Sequence, residues 1–252
     1  MFNSTKIRLL TALVFLGTMA AGSLSSRPVS SEDKTTRVLL MGTVRDFSDQ
    51  HPDFERKGLN KASVDGISFS FGLDGEITTD ELGDDSKPVY AGGSKSTTTE
   101  ENFNQWYTDV AGVNQSKPYE ILLEKTDQGV YRYQNTSFFP INDQLIGNEG
   151  RSKNYHFTFE IANRFTYEGG EVFNFSGDDD VWVYINGKKV IDIGGVHSRK
   201  DASVQLDLVA DEIGLEIGET YDFNFFFAER HTSASNFIIE TTLELESEDF
   251  AD

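Results

Sequence analysis

The chain has 252 residues, no cysteine and a formal charge of −20. Without cysteine, disulfide staples, thiol catalysis and thiolate metal sites are all excluded. The acidic excess repels nucleic-acid phosphates and anionic lipid head groups, so neither is an expected partner.

Residues 1–26 read as a secretory signal. Lys6 and Arg8 open it, Leu9 to Ala21 is a short apolar run, and small residues follow at Ala20 to Ser23. The run is too short to span a bilayer comfortably, so cleavage is expected, with no membrane insertion afterwards. An exported chain without disulfides points to a secreted or cell-surface protein of bacterial source. Residues 27–37 read as a flexible leader, 38–246 as a single domain and 247–252 as an acidic tail.

Val38 to Phe47 reads as the first strand. Asp74 to Thr99 is poor in apolar residues and suggests a long exposed excursion, with a helical turn over Glu76 to Leu82. Phe103, Trp106 and Tyr107 recur at helical spacing, which predicts a short amphipathic helix over Asn102 to Val110. Tyr119 to Glu124 and Val130 to Tyr133 flank Asp127-Gln128-Gly129, a hairpin signal. Tyr155 to Ile161 and Glu171 to Ser176 alternate large apolar with polar residues. Val181 to Ile185 and Lys189 to Ile193 pair across Asn186-Gly187, a type I′ turn signal. Ser203 to Leu208, Thr220 to Ala228 and Asn236 to Leu245 complete the strands. Many short strands, Gly-rich turns and no long helix predict an all-β fold: an antiparallel, jelly-roll-like β-sandwich with long loops and one or two short helices.

Asp178, Asp179 and Asp180 directly precede the Val181 strand. Carboxylates this close repel unless a cation lies among them, and hard oxygen donors at such density suit calcium. A solvated acidic turn between two strands is the competing reading.

The segment Gly169 to Ser198, GGEVFNFSGDDDVWVYINGKKVIDIGGVHS, resembles the core of the fibro-slime domain family, as does Leu215 to Phe237. Gly42 to Phe47, Phe103 to Tyr107, Phe138 to Ile141 and Asn154 to Phe159 extend the resemblance, which runs from about Gly42 to Leu245. That family is similar to the sandwich domain first named in anthrax protective antigen, found in yeast flocculins and bacterial adhesins as a calcium-dependent sugar-binding module. In those lectins two adjacent aspartates joined by a cis peptide hold calcium, which binds sugar hydroxyls. The resemblance implies that Asp178 and Asp179 form this pair. It implies a second loop over Glu229 to Asn236, giving the Asn236 side-chain oxygen and backbone carbonyls from His231, Ser233 and Ala234. The loop's own sequence departs from the flocculin pattern.

Asp180, His197, Glu229, Arg230 and Trp182 are expected on the ligand side of that site. Each also has a structural reading. His197 and His231 suit hydrogen bonding to a glycan or to a carboxylate better than calcium ligation. Arg230 is placed to pair with Glu229 or Asp180, or to recognise sugar hydroxyls. Trp182 alternates with Val181 and Val183, so it belongs to the sandwich core or forms a stacking platform for sugar.

Three functions follow, in this order. The first is a calcium-dependent carbohydrate-binding or adhesion module. The second is a calcium-stabilised matrix protein that binds no sugar. The third, a glycoside hydrolase, lacks any recognisable nucleophile motif, and no catalytic residue is assigned.

Overall fold

The computed structural model describes residues 36–55, 63–64, 67–68, 72–231 and 233–247. Chain contacts divide into two units, Met1–Lys34 and Thr35–Asp252, and the described residues belong to the second. The predicted signal, most of the leader and residues 248–252 of the tail lie outside them.

Among the described residues fourteen strands form: β1 Arg37–Phe47, β2 Ser63–Val64, β3 Ile67–Ser68, β4 Thr78–Leu82, β5 Pro88–Tyr90, β6 Asn114–Lys125, β7 Tyr131–Asn135, β8 Phe157–Thr166, β9 Val172–Gly177, β10 Asp180–Ile185, β11 Lys188–Ile193, β12 Lys200–Gln205, β13 Thr220–Glu229 and β14 Phe237–Thr241. Two one-turn helices, α1 Glu100–Phe103 and α2 Ala210–Ile213, accompany them. β2 and β3 pair with each other as a two-stranded sheet. The other twelve form an antiparallel sheet in the order β12-β9-β14-β7-β6-β1-β8-β13-β10-β11-β4-β5. Where β6 meets β7 only Glu124↔Arg132 and Lys125↔Tyr131 are in register, and there the sheet folds over into a sandwich. Phe173 of β9 meets Phe223 of β13 at 5.2 Å between ring centroids. Phe175 meets Phe225 at 5.4 Å, and Phe237 of β14 meets Phe227 at 5.3 Å. Aromatic burial on this scale is a large share of the core's hydrophobic stabilisation.

β10 is buried along its whole length. Alternation turns Val181, Val183 and Ile185 into the sandwich and Trp182 and Tyr184 the other way. There a second core closes over them, built from Phe47, Phe54, Ile77, Phe103, Trp106, Tyr107, Phe226 and Ala228. The polar excursion over 74–99 helps form this cover. Asp74 Oδ2 anchors it, accepting from the Ser94 and Ser96 hydroxyls and the Lys95 and Ser96 amides at 2.8–2.9 Å. Asp53 adds a tie, accepting from Thr98 N–H and from the Trp106 indole.

The expected helical turn over Glu76 to Leu82 is instead strand β4. Its Thr78 pairs with Tyr90 of β5 and its Glu81 with Lys188 of β11, so sheet pairing overrides local preference. The helix expected over Asn102 to Val110 is one turn, capped by the Thr99 hydroxyl. Tight turns follow, with Trp106 N–H donating to Phe103 C=O, and all three aromatics are buried. The Asn186-Gly187 turn has φ of 51° and 71°, the left-handed pair that joins β10 to β11. Among the described residues no helix is long and apolar enough to cross a membrane.

Candidate functional site

The ends of β9, β10, β13 and β14 meet at one pole of the sandwich. There β9 runs into the aspartate triplet, and the Arg230 to Asn236 loop joins β13 to β14. The three aspartates are 6%, 3% and 0% exposed, so they do not form a solvated acidic turn. The Asp178–Asp179 peptide bond is cis.

The three carboxylates have different partners. Asp178 Oδ1 accepts from the Asn236 backbone N–H at 2.6 Å and its Oδ2 from the Asn236 side-chain amide at 2.9 Å. Asp179 Oδ1 accepts from His197 N–H at 3.1 Å and Oδ2 from Arg230 N–H at 3.2 Å. Burial pushes the Asp179 carboxyl well above the usual carboxylate range, the Asp180 charge adds to this, and Arg230 opposes it. Asp180 faces away from the other two. Its Oδ2 accepts from Arg230 Nε at 2.6 Å, and its Oδ1 from Arg230 Nη2 at 2.8 Å and Gly195 N–H at 2.6 Å.

Strand parity explains this division. Asp180 shares the Trp182 and Tyr184 face of β10, and Arg230 continues the Phe226 and Ala228 face of the neighbouring strand. Both side chains are 0% exposed, and the guanidinium lies over Trp106 at 4.8 Å. Its Nη1 also donates to the Ser96 carbonyl. Burial opposes the Arg230 charge, but Asp180, Asp179 and Asp53 together raise its pKa.

These positions correct several expectations. Asp180 and Arg230 are consumed by one another inside the second core, so neither reaches a ligand in solvent. Trp182 is fully buried and its indole donates to Asp192 Oδ1, which removes it as a stacking platform. His197 has Nδ1 against the Ser198 carbonyl and Nε2 against that of Ile193. Its contact with the aspartate pair is therefore the backbone N–H. Asn236 turns its amide nitrogen, not its oxygen, toward Asp178.

Glu229, at the end of β13, is 1% exposed. Its Oε1 accepts from His231 N–H at 3.3 Å, and the Ser235 hydroxyl lies by the carboxylate outside ideal hydrogen-bond geometry. Burial pushes its pKa well up, and the Asp179 and Asp178 charges push it further. A buried carboxyl beside two aspartates that repel its charge is relieved either by a proton or by a cation. All these donors are oxygens, as calcium prefers. No three His, Asp or Glu side chains among the described residues form a ready-made metal cage. A calcium shell of six to eight oxygens would thus also draw on carbonyls and external hydroxyls.

A cleft of about 660 Å³ opens beside the pair, lined by Asp178, Asp179, His197, Lys200, His231 and Ala234 among others. His231 Nε2 sits 3.3 Å from Glu55 Oε2. Leu73, 61% exposed, stands on the rim. Lys200 and Leu73 escaped sequence reasoning. For Lys200 a signal existed: it shares strand parity with Ala202 and the buried Val204.

Among curated proteins, the chain is 37% identical over 220 residues to protein psiC of Dictyostelium discoideum, covering 82% of this chain and 41% of psiC. It is 36% identical over 229 residues to psiD of the same organism, covering 84% of this chain and 43% of psiD. The chain thus spans less than half the length of these relatives. Their source gives the expectation of a bacterial protein no support. Among solved structures, the PA14 domain of the MpAFP antifreeze protein aligns with TM-score 0.36 at 10% identity, covering 87% of both chains. The PA14 sugar-binding domain of an RTX adhesin aligns with TM-score 0.31 at 10% identity, covering 82% of this chain and 90% of the other. Over residues 141–251, the stretch that holds Asp178, Asp179, Glu229 and Asn236, the chain matches the PA14 domain model.

Proposed function

We propose that this domain is an extracellular, calcium-dependent carbohydrate-binding module of the fibro-slime type, used in adhesion. Asp178 and Asp179 hold the ion from one side, with carbonyls of the His231 to Ala234 loop as further donors, while the Asn236 amide steadies Asp178. A bound calcium supplies a Lewis-acidic surface whose open positions take neighbouring sugar hydroxyls. Glu229 adds negative charge behind the pair. Asp180 and Arg230 do not touch the ligand; they fix the turn and the loop that carry those donors.

The observation that carries this reading is the pair of buried, adjacent carboxylates at the wall of a cleft, with the buried Glu229 carboxyl beside them. Single-site sugar affinity of such a module is weak, and repeated copies on a surface strengthen it by multivalency. A glycan array probed with and without chelator tests the proposal. Calcium-dependent binding, lost in Asp178→Asn/Asp179→Asn, is expected. Binding that persists in chelator would overturn it. The depth of both carboxylates favours one second reading, in which calcium only locks the loops. In that case calcium raises thermal stability while the array stays silent.

A further inference from the structure

The cleft beside the aspartate pair contains a cation that the proposed calcium site does not use. Lys200 is the first residue of β12 and pairs with Gly177, the residue that precedes Asp178. Along β12 exposure alternates: Asp201, Ser203 and Gln205 are exposed, Ala202 is half-buried and Val204 is buried. Lys200 has the parity of Ala202 and Val204, so its side chain leaves the inner face of the strand where the sheet ends. It lines the cleft with Asp178 and Asp179. Its neighbours Arg199 and Asp201 occupy each other and Ser176, whereas Lys200 pairs with no carboxylate among the described residues.

We infer that Lys200 makes the cleft selective for anionic sugars, such as those carrying a carboxylate on the ring. The inference rests on the calcium-dependent sugar reading above. In that state the ion's two charges cancel those of Asp178 and Asp179, Glu229 lies buried behind them, and Lys200 is the positive side chain that lines the open cleft. The protein as a whole carries −20 and repels an anionic ligand at a distance. At physiological salt that repulsion is screened beyond about 8 Å, while a contact inside the cleft is screened far less. A flexible ammonium binds a carboxylate or sulfate as a point charge and demands no fixed geometry of it.

The test compares sugar pairs that differ only at C6, a methyl uronoside against the matching methyl glycoside, in the gluco, galacto and manno series. A 6-sulfated member added to each series separates a general anion preference from a carboxylate preference. Binding of each to the full chain is measured by calorimetry in saturating calcium. At least one anionic sugar should bind about tenfold more tightly than its neutral partner, the scale of one charge-assisted hydrogen bond. In Lys200→Gln that ratio should fall toward one. A calcium-induced rise in Tm shows that the variant is folded and ion-loaded. Equal binding of neutral and anionic members overturns the selectivity and leaves the sugar reading standing, as does a ratio that survives in Lys200→Gln. Calcium binding with no sugar bound in any series overturns both.

Discussion

Replacing Arg230 by methionine removes a fully buried guanidinium whose Nε and Nη2 both hold Asp180, itself 0% exposed. Methionine keeps most of the volume over Trp106, so the dominant effect is electrostatic: among the described residues, Asp180 is left in the second core with Gly195 N–H alone. Breaking a buried pair by deleting one partner costs about 3–5 kcal/mol, because the remaining charge is uncompensated. For a domain of this size each 1 kcal/mol corresponds to roughly 2–4 °C in Tm, so a fall of about 6–20 °C is expected. Urea denaturation with chelator present throughout separates this from any effect of calcium. The diagnostic step is the double variant with Asp180→Asn, which removes the stranded charge and keeps an acceptor for Gly195. It should recover at least about 1 kcal/mol relative to Arg230→Met alone. A loss below about 1 kcal/mol for the single variant, or strict additivity in the double one, would refute the claim that this pair locks the pole.

Three further expectations come from the same region and its surroundings. Calcium at a hundredfold excess over its Kd should stabilise the protein by about 2.7 kcal/mol, seen as a rise in Tm by scanning calorimetry; Asp178→Asn/Asp179→Asn should show no rise. Because burial raises the Asp179 and Glu229 pKa values, protons compete with the ion. Calcium affinity should therefore weaken as pH falls through those raised values, with proton release on binding detectable in buffers of different ionisation heat. Asp46 is raised to about 6 by burial, despite accepting from Asn154 Nδ2 and Ile146 N–H. Its folded pKa exceeds the unfolded one, so its contribution of about 3 kcal/mol is complete below about pH 4 and lost as pH rises through about 6. Asp46→Asn should flatten that part of the stability profile measured by denaturant titration.

The alternating strands were legible because period-two patterning and turn chemistry are local. The β10–β11 hairpin, for example, is written in Val181 to Ile193 alone. What was not legible is the second face of β10. Nothing near Trp182 announces that residues from 47 to 107, distant in sequence, close over it. A strand buried on both sides and one with a solvent face read alike when aromatics fill the outer positions. Trp182 was therefore open to a surface reading, and in the polar stretch from Asp74, exposed at Asp80, Asp84 and Asp85 as expected, the internal ties of Ser96 to Asp74 and of Thr98 to Asp53 left no local signal.

The same hidden layer divides the aspartate triplet. Three identical side chains in sequence gave no basis for assigning roles beyond the resemblance to calcium-binding pairs. Parity with Trp182 commits Asp180 to the covered face, where its charge is compensated by Arg230 arriving from the adjacent strand and by Gly195 N–H. Asp178 and Asp179 are left to the cleft wall, held by backbone N–H groups from His197, Arg230 and Asn236. The buried ion pair thus sets which carboxylates face outward, and a polar cluster that costs desolvation energy is retained where it positions a binding edge.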